Sequence, residues 1–160
     1  MDYKEEIGKI LRDKKWKIST AESCTGGLLS SKLTDISGSS EYITLNLITY
    51  SNEAKQRMLN VTLNQDGAVS EYCACQMAKG LYELTHSEIC VSTTGIAGPT
   101  GGTLQKPVGL MYASIFSKDR QETFKIQTKS NLSRTEIKEI FANEVLKKVY
   151  IFLKEVEGKY

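Results

Sequence analysis

The chain has 160 residues, 40% hydrophobic and 25% charged, with a net charge of +2. That is the size and balance of a single globular domain over residues 1–160, and it excludes an intrinsically disordered chain. Acids and bases interleave, so no basic field argues for nucleic acid, and no apolar run approaches the roughly 20 residues a membrane helix needs.

The opening Met1–Glu6 lacks the apolar stretch of a signal peptide, which makes the cytoplasm the expected location. The four cysteines, Cys24, Cys73, Cys75 and Cys90, form no Cys-x-x-Cys pair and are accompanied by one histidine, His86. That is a poor ligand set for zinc, so neither metal nor disulfide is expected.

Residues 2–15 carry Ile7, Ile10 and Leu11 at helical spacing, and Trp16–Ala21 reads as a strand. Cys24–Asp35 places Leu28, Leu29 and Leu33 on one helical side, with Gly38 as its terminator. Tyr42–Tyr50, rich in β-branched and aromatic residues, predicts a strand. Ser51 or Asn52 caps a helix carrying Ala54, Met58 and Leu59, and Ser70 caps another that runs to about Thr85. Ile89–Thr94 reads as a buried strand, and Val108–Ser117 with Glu122–Thr128 as a hairpin turning near Lys118-Asp119-Arg120. Ser133-Arg134-Thr135-Glu136 is a capping box that opens a last helix to about Val156. Alternating helices and strands followed by a hairpin predict an α/β fold: a three-layer α/β/α sandwich on a mixed, mostly parallel sheet.

In such sheets, sites gather beyond the carboxyl ends of the strands. Three predicted strands end near Glu22, Tyr50 and Thr94, and each is followed by a polar or glycine-rich run. In Thr20–Gly27 a serine at a strand-to-helix turn precedes two glycines, which exposes the Ser23 hydroxyl and opens backbone amides to an anion. The plainer reading of that serine is a capping turn. As a nucleophile Ser23 needs a base. His86 sits near a helix C-terminus, where a cap suits it better; a lysine of lowered pKa is the other option. Tyr50–Lys55 offers Lys55 about one helical turn after Ser51, although by spacing alone Lys55 reads as a surface lysine and Tyr50 as a core-edge residue. Thr94–Gly102 holds Gly95, Gly98, Gly101 and Gly102 after an apolar strand, either a loop of exposed amides for phosphate or carboxylate or a long turn. Lys106 beside it either meets an anion or faces water. Cys24, beside Ser23, reads as packed inward rather than as a rival nucleophile.

At these residues the chain resembles the C-terminal domain of the CinA competence/damage-inducible proteins, which also occurs alone as nicotinamide-nucleotide amidohydrolase. The matching runs are Thr20–Gly27, Gly38-Ser39-Ser40, Tyr50–Lys55, Gly67-Ala68-Val69-Ser70, Thr94–Pro99, Gly101-Gly102 and Lys106-Pro107-Val108-Gly109, in the family's order and spacing. The resemblance implies a three-layer α/β/α fold and an amidase that converts nicotinamide mononucleotide to nicotinic acid mononucleotide and ammonia, in pyridine nucleotide recycling, with no metal or other cofactor. It implies Ser23 as nucleophile, Lys55 as its base partner, Tyr50 in the proton network, and Thr94 and Arg134 as site residues. Thr25, Gly26, Gly27, Gly95, Gly98, Gly101 and Gly102 are the accompanying substrate-binding candidates.

The chain departs from the family pattern at the start of the last helix. Leu132-Ser133-Arg134 replaces Gly-Asp-Arg, and Lys138 stands where a second Arg is usual. Asn46 replaces a glycine in the strand before Tyr50. The departures leave two further readings: a pyridine-nucleotide sensor module without turnover, and an amidase for another nucleotide-like amide. Assembly into a homo-oligomer stays open.

Overall fold

A computed structural model of the chain describes residues 1–157. Helix α1 (Tyr3–Lys14) starts at Asp2, whose side chain accepts from the Lys4 N–H, and buries Ile7, Ile10 and Leu11. Strand β1 (Ile18–Glu22) follows, then α2 (Leu28–Thr34), a short 3₁₀ turn at Ser39–Glu41, and β2 (Ile43–Ile48). Helices α3 (Asn52–Leu59) and α4 (Glu71–Thr85) are capped by Ser51 and Ser70, which accept from the N–H groups of Ala54 and Cys73. Strand β3 (Ile89–Gly95), the hairpin of β4 (Leu110–Ser117) and β5 (Arg120–Gln127), and α5 (Arg134–Glu157) complete the order.

The strands form one sheet in the order β2-β1-β3-β4-β5. β2, β1 and β3 run parallel, and β4 is antiparallel to both β3 and β5, so four of the five strands point the same way. Helices α1, α2 and α5 cover one face, over a core that includes Ile7, Leu11, Ile115, Phe141 and Phe152. Helices α3 and α4 cover the other, over Ala21, Leu59, Cys73, Met77 and Leu81. The expected three-layer α/β/α architecture is therefore the observed one, and most predicted boundaries lie within two residues of the observed ones.

The main correction concerns α2, which starts at Leu28 rather than Cys24. Gly26 and Gly27 take φ of +60° and +100°, a left-handed region closed to most side chains, so the chain makes a separate turn over 23–27 before the helix begins. Among the described residues no helix is long and apolar enough to cross a membrane.

Candidate active site

The carboxyl ends of β1, β2 and β3 lie side by side, which brings Ser23, the Thr49–Tyr50 pair and Thr94 together. Helix α3 leaves the end of β2 and turns back over the sheet. Its fourth residue, Lys55, is 1% exposed, so the surface lysine expected from spacing is instead a buried one. Lys55 Nζ lies 3.1 Å from Ser23 Oγ and 3.0 Å from each of the Thr49 and Tyr50 carbonyl oxygens. Burial disfavours the ammonium and pulls the Lys55 pKa below its ordinary 10.5, partly countered by the Cys73 and Cys24 thiols. No acidic side chain lies among those contacts. A buried lysine of lowered pKa in contact with a hydroxyl is the pairing that a base and nucleophile require.

Ser23 itself is buried, at 8% exposed, whereas the two glycines after it predict an exposed hydroxyl. It caps no helix: the position before α2 is Gly27, and no side chain caps from there. Glu22, which spacing did not single out, does that work from the strand. Its carboxylate, fully buried, accepts from five donors: the Thr25 hydroxyl, the Gly27, Leu29 and Ser30 N–H groups, and the Ser30 hydroxyl. The negative charge also faces the positive end of α2. Thr93, also not singled out, braces the turn from the other side. Its carbonyl accepts the Ser23 N–H at 3.1 Å, and its hydroxyl pairs with that of Thr25 at 2.8 Å.

This accounting corrects the expectation that Gly26 and Gly27 offer their amides to an anion. The Gly26 N–H goes to the Ser23 carbonyl and the Gly27 N–H to Glu22. Thr25 turns its hydroxyl inward, to Glu22 and Thr93. In this stretch the N–H groups of Cys24 and Thr25 are the ones that neither the Glu22 carboxylate nor a carbonyl takes up among the described residues. The Cys24 thiol is buried as expected, and burial first, then the Glu22 charge, pushes its pKa up to about 12. His86 takes the left-handed position that ends α4, remote from Ser23, which removes it as a base.

Tyr50 is not a core-edge residue: it is 58% exposed. Its carbonyl serves Lys55, while its phenolic oxygen accepts from Arg134 at 3.0 Å. A second Arg134 N–H reaches the Gly98 carbonyl at 2.6 Å, so this exposed side chain joins the end of β2 to the glycine-rich loop. Lys138, one turn further along α5, holds its ammonium against Gly26, 3.4 Å from where a β-carbon would sit. The Thr94 hydroxyl donates to the Ala68 carbonyl at 2.8 Å and thereby anchors the loop before α4. Lys106 reaches the Asp66 carbonyl in the same loop.

The glycines of 95–102 are set largely by packing. A side chain at Gly95 would meet the Leu110 carbonyl at 2.6 Å, and one at Gly102 the Val108 N at 2.8 Å. Gly101 is exposed at the loop tip, and the Gly98–Pro99 bond is cis. Among the described residues no three His, Cys, Asp or Glu side chains gather as a metal site.

Comparison with known proteins follows this geometry. The family model described as the CinA C-terminal domain matches residues 1–153. A CinA-like protein of Chlorobium limicola is 42% identical over 96% of this chain, and one of Chloroherpeton thalassium 54% identical over 69%. The chain spans only 37% and 27% of the length of those curated relatives. Among solved structures, a competence/damage inducible protein of Agrobacterium tumefaciens superposes with a TM-score of 0.81 at 35% identity, covering 99% of this chain and 95% of that one. A competence-damaged protein superfamily member of Enterobacter cloacae gives 0.89 at 25% identity, covering 94% and 90%.

Proposed function

We propose that this chain, which belongs to the CinA C-terminal domain family, hydrolyses the carboxamide of nicotinamide mononucleotide to nicotinic acid mononucleotide and ammonia, with Ser23 as nucleophile and Lys55 as base. The substrate comes from the family's motifs; the chemistry has its own support in the buried Lys55–Ser23 contact of 3.1 Å. A neutral amine has two N–H bonds and one lone pair. With the Thr49 and Tyr50 carbonyls accepting the two N–H groups, the lone pair is left facing the Ser23 hydroxyl.

In the first half-reaction Lys55 takes the Ser23 proton as Oγ bonds to the carboxamide carbon. The Cys24 and Thr25 N–H groups directly follow Ser23 in the chain and suit the developing oxyanion. Lys55 then passes the proton to the amide nitrogen, the C–N bond breaks and ammonia leaves. In the second half Lys55 takes a proton from water, whose oxygen attacks the acyl-enzyme, and Ser23 recovers its hydrogen as the acid departs. Arg134 and Lys138 place two cations on the rim of this site, the charge a nucleotide phosphate calls for.

Ammonia release from nicotinamide mononucleotide tests this directly. Turnover is expected in the native chain and none in Ser23→Ala. Turnover that persists in Ser23→Ala refutes the nucleophile; nucleotide binding without ammonia release in the native chain would make the domain a pyridine-nucleotide-binding module instead.

A further inference from the structure

Among the buried polar atoms of this site, one has no partner. The Thr49 hydroxyl is buried, with the residue 1% exposed, and no protein group among the described residues bonds to it. Native proteins rarely tolerate this, because an unpaired buried hydroxyl costs free energy that an apolar group of the same shape avoids. Its position makes the orphan informative. Register pairs Ala21 with Leu47 and Glu22 with Ile48, and the Thr49 N–H continues the ladder to the Glu22 carbonyl at 2.8 Å. Ser23 and Thr49 each directly follow the last paired residues of β1 and β2, Glu22 and Ile48.

The pleat puts both side chains on the α3 side. Ala21 and Leu47, two residues earlier on each strand, pack into the core under α3 and α4, whereas Ile48 packs on the opposite side near Gly27. Ser23, on that face, contacts Lys55. Thr94, two residues after the Ser92 that pairs with Ala21, faces the same side from β3. Thr94 donates to Ala68 and Ser23 meets Lys55, while Thr49 is left over, although its own carbonyl already holds Lys55 Nζ.

We propose that Thr49 is a positioning residue for Lys55: its hydroxyl takes up the third N–H when Lys55 becomes an ammonium during turnover. In the resting pair the two carbonyls take the two N–H groups of the neutral amine, with Ser23 Oγ beside it. Once Ser23 Oγ has bonded to the substrate carbon it is a poor acceptor, and the ammonium holds three N–H groups against two carbonyls. A small swing of Nζ towards the Thr49 side chain supplies the third acceptor until the proton passes to the leaving nitrogen. The hydroxyl is unpaired in the ground state and paired in the transition state, which is the kind of interaction that raises kcat and leaves KM alone. No bond is made or broken at Thr49.

The inference rests on the Ser–Lys reading above, and two variants test it. Thr49→Val removes the hydroxyl and keeps the shape; Thr49→Ser keeps the hydroxyl. With nicotinamide mononucleotide as substrate, Thr49→Val is expected to lower kcat by roughly ten- to a hundredfold, the scale of one hydrogen bond to a charged group. KM should not change, and the melting temperature should hold or rise because an orphan polar atom is gone. Thr49→Ser should keep most of kcat. A Thr49→Val protein with native kcat overturns the proposal, and so does one whose kcat and melting temperature fall together, since that marks a structural hydroxyl. A dead Ser23→Ala enzyme beside a fully active Thr49→Val enzyme removes Thr49 alone; an active Ser23→Ala enzyme removes the Ser–Lys reading beneath it.

Discussion

Replacing Glu22 with Gln changes one atom and tests how the nucleophile turn is held. In the native chain Oε1 accepts from the Thr25 hydroxyl and the Gly27 and Leu29 N–H groups, and Oε2 from the Ser30 N–H and hydroxyl. The amide NH₂ of Gln can face either set. Placed at the Oε2 end it opposes one fixed donor, the Ser30 N–H at 2.8 Å, because the hydroxyl can turn and accept. At the Oε1 end it opposes two fixed donors, so the first orientation wins. One buried N–H then loses its acceptor, at about 1–3 kcal/mol, and the bonds that remain lose their charge assistance, at roughly 1 kcal/mol more. A loss of about 2–4 kcal/mol is a large share of the roughly 5–15 kcal/mol that holds a domain together. Urea unfolding at neutral pH, extrapolated linearly with m unchanged, reads this loss as a lower midpoint. The same variant should lower ammonia release, since Ser23 sits on the turn that Glu22 ties down. An unfolding free energy within about 0.5 kcal/mol of native would sink the reasoning, because it would mean the five donors find other acceptors at no cost.

The pH dependence follows from Lys55. Its pKa lies below 10.5 because burial disfavours the charged form, so kcat/KM should rise with pH along a limb centred below that value. A flat profile across neutral and alkaline pH removes Lys55 as the base. By the same shift the unfolded chain holds this proton to higher pH, so the cost of burying Lys55 is complete below its folded pKa and fades as pH climbs to 10.5. The cysteines offer an independent check. Burial pushes Cys24 and Cys90 up to about 12 and raises Cys73 as well, whereas Cys75 is only half-buried. Alkylation of the folded protein near neutral pH, followed by mass spectrometry, should label Cys75 first; Cys24 reacting at the rate of Cys75 would contradict the packing around the nucleophile turn.

Much of the fold was legible because local signals agree with the architecture. Ser51, Ser70 and Ser133 each mark a helix start, and at Ser133 the hydroxyl accepts from the Glu136 N–H and donates to its carboxylate. The strand order β2-β1-β3-β4-β5 was not legible, since pairing between distant segments leaves no local pattern. The start of α2 was misplaced for a related reason. Leu28, Leu29 and Leu33 share a helical side whether or not the helix extends back to Cys24, and only the positive φ of Gly26 and Gly27 shows that it does not.

The site divides along the same line. Ser23 and the segment carrying Lys55 stand out by residue type, yet the property that suits Lys55 to the proposed base role, its burial against two carbonyls, is carried by backbone atoms of Thr49 and Tyr50. Every residue has such a carbonyl, so no pattern of side chains marks these two. Glu22 was overlooked because an isolated acid is ordinarily exposed; five donors make it a buried one, and three of those are again backbone N–H groups. In sequence Thr49 is one more β-branched residue near a strand end. Its hydroxyl becomes notable only when the ladder from the Thr49 N–H to the Glu22 carbonyl sets it beside Ser23. The sequence therefore locates the groups proposed to react, while parallel pairing of β1 with β2 and β3 sets their surroundings. A change in that pairing by one residue would leave every motif intact and turn Thr49 and its unpaired hydroxyl to the other face, away from Ser23.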